Sequence, residues 1–155
     1  MAKKKKGLII VNTGKGKGKS TAAFGVVLRA WGRGLQICVI QFIKSEKGKW
    51  GEVKAAQKLG IDWLSTGDGF TWRSKDMDET IARAQYGWKM AQEKITSGKY
   101  DLVVLDEFTY LLDFEWLDVN EAISWLEENK PPMQHIIITG RNAPQELIGY
   151  ADLVT

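Results

Sequence analysis

The segment Thr13-Gly-Lys-Gly-Lys-Gly-Lys-Ser20 alternates glycine with lysine and ends in a hydroxyl. Glycines at 14, 16 and 18 let successive backbone N–H groups converge on an anion. Lys19 can neutralise phosphate charge, and the Ser20 hydroxyl can ligate Mg²⁺. The phosphate-loop pattern G-x-x-x-x-G-K-[ST] is met except at its first position, where Thr13 stands in place of glycine. A second group is Leu102-Val-Val-Leu-Asp106-Glu107, an apolar run ending in two carboxylates. In an open parallel sheet the carboxyl ends of strands face the ligand crevice. A carboxylate there can hold Mg²⁺ directly or through water. Together the two motifs point to a nucleoside triphosphate with Mg²⁺ and leave the reaction open.

Two features bear on that reaction. Glu107 can orient a water or hydroxyl, and Arg29, Arg33, Arg73, Arg83 and Arg141 are available as cations, as phosphoryl transfer would need. Gly67-Asp-Gly-Phe70-Thr-Trp72 carries two large aromatics in a glycine-rich stretch. Such a loop either folds back on the core or forms an apolar wall for a large flat ligand.

The elements that must position these residues alternate between apolar strands and amphipathic helices, the pattern of an α/β fold with a mainly parallel sheet. Strands are expected at 7–12, 35–42, 61–64, 100–105 and 134–139, with a last one near 152–155. Helices are expected from Ser20 to about Arg33, from Gly51 to Leu59, and from a capping box at Asp76 and Glu79 to about Ser97. A further helix opens at Asp118 with Glu121, and a short one follows Pro144. The expected fold is a single-domain P-loop NTPase of the RecA-like type, over residues 7–155, its sheet flanked by helices. Residues 1–6 are expected to be a disordered basic tail.

Composition excludes several classes. The chain has 155 residues, enough for one domain with its own core. A single cysteine, Cys38, rules out an intramolecular disulfide framework and any multi-cysteine metal site. A single histidine, His135, leaves no Ser-His-Asp triad that does not use it. No apolar run approaches the ~18 residues that span a bilayer, and no secretory signal is evident. The expected location is the cytoplasm. Of 22 basic side chains four lie in Lys3 to Lys6, leaving 18 against 19 acidic ones. The near-neutral body argues against nucleic acid as a partner.

The order of motifs resembles a known family. Asn12-Thr-Gly-Lys-Gly-Lys-Gly-Lys-Ser-Thr-Ala-Ala-Phe-Gly25, Gln41-Phe-Ile-Lys44, Gly69-Phe-Thr-Trp72, Val103-Val-Leu-Asp-Glu-Phe-Thr-Tyr110 and Ile136-Ile-Ile-Thr-Gly-Arg141 fall as they do in the P-loop ATP:corrinoid adenosyltransferases. The resemblance runs from about Gly7 to the last residue. It implies that a corrinoid reduced to Co(I) attacks the ribose 5′ carbon of ATP, so that the adenosyl group moves to cobalt and triphosphate leaves. Thr13, Gly14, Lys15, Gly16, Lys17, Gly18, Lys19, Ser20 and Thr21 would then bind the nucleotide, with Lys19 and Glu107 acting in catalysis. Ser20 and Glu107 match the family's Mg²⁺ positions, with Asp106 behind them or in their place. Phe70 and Trp72 match the aromatics that close the lower corrin face and, by displacing an axial ligand, ease reduction of cobalt. ATP and the corrinoid are substrates, Mg²⁺ is the cofactor, a reductase would supply Co(I), and the family is homodimeric. Members of the family extend further at both ends, with a segment over the nucleotide and a tail near the corrinoid.

Other residues read as structural. His135 is expected to be hydrogen-bonded rather than a cobalt ligand, and Cys38 to be a small buried hydrophobe. Trp31, Trp88, Trp116 and Trp125 fit a core or an interface. Two rival functions share the fold: an ATPase or kinase that uses Glu107, and an ATP-binding module without turnover.

Overall fold

The computed structural model describes residues 6–43, 51–66 and 77–155. Among them six strands form one parallel sheet: β1 (Ile9–Asn12), β2 (Ile37–Gln41), β3 (Asp62–Ser65), β4 (Leu102–Asp106), β5 (His135–Thr139) and β6 (Leu153–Val154). Their spatial order is β3-β2-β4-β5-β1-β6. Six helices connect them: α1 (Lys19–Gly32), α2 (Gly51–Leu59), α3 (Met77–Thr96), α4 (Thr109–Asp113), α5 (Val119–Asn129) and α6 (Gln145–Tyr150).

The strands read as continuous apolar runs because both faces of the sheet are covered. All five residues of β4 are buried. Alternation then sorts them. Val103 and Leu105 join the core under α3, α4, α5 and α6, whereas Leu102 and Val104 pack with Ala23, Val27 and Ala30 of α1. Those three α1 residues fall four and three apart, on one helical face. Trp88 of α3 fills the first core, edge-on to Trp125 and 5.1 Å from the ring centre of Phe108. Trp116 and Trp125 pack against that core. Trp31 is half-exposed and donates from its indole to the Leu59 carbonyl at 3.0 Å.

The observed elements differ from the sequence reading mainly at their starts. Before β2 and β4, Gln36 and Asp101 are tied by the Asp101 side chain, which accepts the Gln36 N–H at 2.8 Å. Before β1, the Leu8 N–H goes to His135 Nδ1 at 3.0 Å, so the histidine is hydrogen-bonded as expected. Cys38 is buried, and desolvation pushes its thiol up to about 12, which leaves it inert as a nucleophile. At α5 the Asp118 carboxylate accepts the Glu121 N–H at 3.0 Å, the expected cap. Asp76, the cap expected for α3, lies outside the described residues. α4 was not expected: its N-cap is Phe108 with no capping side chain, so nothing in the sequence announces it.

Two helical glycines generate a paired prediction. A Cβ at Gly87 of α3 would lie 2.9 Å from Phe42 Cε1 and from Thr66 Cβ. At Gly25 of α1 it would meet nothing within 4 Å. Alanine gains about 0.5–1 kcal/mol of helix propensity over glycine, but overpacking costs about 1–3 kcal/mol. Gly25→Ala should therefore raise the denaturant midpoint and Gly87→Ala should lower it. A rise for Gly87→Ala as well would show that the α3 packing is not as tight as described.

Candidate functional site

Register and alternation together build the site. Gln41 pairs with Ser65 on one side and with Asp106 on the other, and Asn12 pairs with Thr139. Leu105 pairs with Ile138, so Asp106 and Thr139 come next in register. Ser65, Gln41, Asp106, Thr139 and Asn12 thus form a polar row across the carboxyl edge of the sheet, each ending its strand. Each lies two residues beyond Trp63, Val39, Val104, Ile137 and Ile10, which all face the α1 core. By the period of two, the row faces the first turn of α1.

Ser20 stands in that turn. Its hydroxyl donates to Asp106 Oδ1 at 2.6 Å. Thr139 Oγ1 donates to the same oxygen at 2.7 Å, and Gln41 Nε2 donates to Asp106 Oδ2 at 3.1 Å. Asp106 has no solvent exposure, so these three donors offset the cost of burying the carboxylate. Gln41 is itself oriented by Ser65, whose hydroxyl donates to Oε1 at 3.4 Å. Asn12 donates to the Lys19 carbonyl at 3.3 Å and accepts from Thr155 Oγ1 at 2.9 Å.

Between β1 and α1, residues 13–18 form a loop that is exposed from Gly14 to Gly18. Gly14 and Gly18 have φ of 123° and 106°, conformations that favour glycine. Gly18 is the N-cap of α1, with no side-chain cap and no acidic residue in the first turn. The positive end of the helix dipole is left available to an anion. The Lys19 ammonium donates to the Gly16 carbonyl of its own loop. Lys15 and Lys17 are exposed, as is Thr21. Thr13 is anchored at the loop's base, its N–H on the Thr155 carbonyl at 2.8 Å and its hydroxyl accepting the Ala143 N–H at 3.1 Å. That anchor is the local role of the residue that replaces the pattern's first glycine.

Glu107 follows Asp106 in the left-handed region, φ 63°, and its N–H donates to Thr139 Oγ1 at 2.9 Å. Burial, and after it the Glu107 charge, pushes the Tyr110 phenol up, while the Arg141 guanidinium pulls it down. Glu107 and Arg141 thus both act on the Tyr110 hydroxyl, with opposite signs.

The structure thus brings Lys19, Ser20, Asp106 and Glu107 to the carboxyl edge of the sheet. Phe70 and Trp72 lie outside the described residues, as does Lys44. The sequence reading assigned no role to Asn12, Gln41 and Thr139 beyond the quoted motifs. Their common signal is a polar residue closing an apolar parallel strand.

The oxygen donors fit a hard cation. Ser20 and Asp106 present a hydroxyl and a carboxylate in contact, and Glu107 is the next residue in the chain. Among the described residues no cluster of three or more His, Cys, Asp or Glu side chains is placed to hold a metal. A cation here would need most of its ligands from water and phosphate, which is how Mg²⁺ is commonly bound.

Comparison with known proteins gives the family. Residues 5–155 match the family model described as ATP:corrinoid adenosyltransferase BtuR/CobO/CobP. A corrinoid adenosyltransferase of Sinorhizobium sp. is 44% identical over 97% of this chain and 71% of its own length. That of Escherichia coli K12 is 37% identical over 99% of this chain and 78% of its own length. Corrinoid adenosyltransferase CobA of Salmonella typhimurium is 38% identical over the same shares. Among solved structures, flagellar accessory protein FlaH of Methanocaldococcus jannaschii superposes with a TM-score of 0.65 over 96% of this chain and 69% of its own. At 11% identity that likeness concerns the fold alone. With a matching model over nearly its whole length and a phosphate loop set against a polar sheet edge, the chain belongs to the ATP:corrinoid adenosyltransferase family.

Proposed function

We propose that the protein transfers the 5′-deoxyadenosyl group of ATP to the Co(I) of a corrinoid and releases triphosphate. The observation that carries this reading is the family match over residues 5–155. The cobalt lone pair forms the bond to C5′, the C5′–O bond breaks, and its electron pair leaves with the triphosphate. Cobalt is the nucleophile, so no protein base is required.

In this reading residues 13–21 bind the leaving group rather than a phosphoryl donor. A phosphate oxygen is a stronger acceptor than the Gly16 carbonyl that Lys19 now meets, because it is charged. Lys19 and Lys17 would stabilise charge that develops as triphosphate departs. Ser20, with Asp106 and Glu107, would hold Mg²⁺, which would neutralise part of that same charge. Phe70 and Trp72 are assigned to the lower face of the corrin. Positioning cobalt near C5′ is the remaining task, and proximity of this kind is worth about 7–11 kcal/mol.

The working unit we propose is a homodimer of single domains spanning 7–155, in the cytoplasm, served by a reductase. Exposed Val26, Leu28 and Trp31 on α1 offer apolar area for such a contact. None of the described helices is long and apolar enough to cross a membrane.

Two experiments test the reading. Under anaerobic conditions with MgATP and chemically reduced cob(I)alamin, one triphosphate should appear per adenosylcobalamin formed. ADP and phosphate without a cobalt–carbon bond would instead identify an ordinary NTPase. In the second, Trp72→Ala should cut adenosylation by tenfold or more, about 1.4 kcal/mol, while the Kd for MgATP stays within about twofold, well under that energy. Equal loss of both would remove Trp72 from the corrinoid site.

A further inference from the structure

We propose that Thr139 is the positioning residue that holds Asp106 and Glu107 in the relative geometry adenosyl transfer requires. This inference rests on the functional reading above. Thr139 ends β5, is fully buried, and touches both acidic residues through one atom. Its hydroxyl donates to Asp106 Oδ1 at 2.7 Å and accepts the Glu107 N–H at 2.9 Å. The direction of both bonds is fixed, because a backbone N–H can only donate and the hydroxyl proton is then free for the carboxylate.

Each bond answers a different need. Asp106 Oδ1 also receives Ser20, so Thr139 fixes the rotation of the carboxylate that Ser20 meets. Glu107 sits at φ 63°, which a residue with a Cβ rarely adopts, so something must hold it. The Thr139 oxygen does so by taking its N–H. The neighbouring backbone is built for this approach. Gly140 has φ 141°, and a Cβ there would fall 1.9 Å from Thr109 Oγ1. That hydroxyl donates to the Arg141 carbonyl at 2.7 Å. The end of β5 is thereby pressed against the Glu107–Thr109 turn, with Thr139 at the point of contact.

The test compares Thr139→Val, which keeps the shape and removes the hydroxyl, with Thr139→Ser, which keeps the hydroxyl. Titration calorimetry would measure ATP binding with and without Mg²⁺, alongside kcat and KM in the anaerobic assay. Thr139→Val should lose most of the Mg²⁺-dependent gain in ATP affinity. Its kcat should fall tenfold or more, and its KM for cob(I)alamin should hardly change. Thr139→Ser should recover both, even if its melting temperature is as low as that of the valine variant. A folded Thr139→Val with wild-type Mg²⁺ dependence and kcat would overturn the proposal. So would a Thr139→Ser variant as impaired as valine, since the role would then be packing. Ser20→Ala and Glu107→Gln, measured in parallel, separate the two levels. If they impair Mg²⁺-dependent binding or turnover and Thr139→Val does not, only the role of Thr139 fails. If neither has any effect, the reading of the whole site fails.

Discussion

A carboxylate without solvent contact must find its hydrogen-bond donors within the protein, and the Asp106 side chain finds three. Ser20 comes from the first turn of α1, Gln41 from β2 and Thr139 from β5. Losing one such donor from a buried acceptor typically costs about 1–3 kcal/mol. The network therefore holds the phosphate loop, the centre of the sheet and the Glu107 turn in one arrangement. A site that must bind a highly charged leaving group gains from this fixed geometry, because little reorganisation is left for the moment of reaction.

The topology explains how three distant segments reach one side chain. β4 lies between β2 and β5, so the last residue of β4 has both neighbours within hydrogen-bond reach. All the strands run parallel, so their carboxyl ends share one edge. Alternation sends the terminal polar residues to the face that α1 covers and Phe42, the next residue after Gln41, to the opposite core, which Phe108 also enters after the left-handed Glu107 ends the strand. The chemistry of the edge and the packing of the two cores are thus set by the same two-residue period.

Much of this was legible from the residues. The loop at 13–20, the apolar run into Asp106 and the Asp118 cap carry local signals, and all three lie where those signals put them. Gln41 and Thr139 were not legible as partners. Each is one polar residue after an apolar run, and only the register of strands 33 to 65 residues apart brings them to Asp106. α4 was hidden for a different reason: it follows a left-handed Glu107 and starts at a Phe108 cap with no side-chain hydrogen bond, so neither propensity nor capping marks it. β2 and β4 each start two residues later than the apolar runs suggest, because the Asp101 carboxylate, rather than a ladder partner, takes the Gln36 N–H.

Family membership places adenosyl transfer on this frame, and the proposed site gives the nucleotide half of the work to residues 13–21 and the Asp106 network. The most direct test of that network is the ATP affinity of Asp106→Asn, measured by calorimetry with and without Mg²⁺. The amide keeps the shape but removes the charge and turns one acceptor into a donor facing Ser20 and Thr139 or Gln41. Metal-free ATP should bind nearly as in the wild type while the gain on adding Mg²⁺ disappears. An unchanged Mg²⁺-dependent gain would contradict this, and the buried carboxylate would then be a structural feature of the sheet edge rather than the centre of the site.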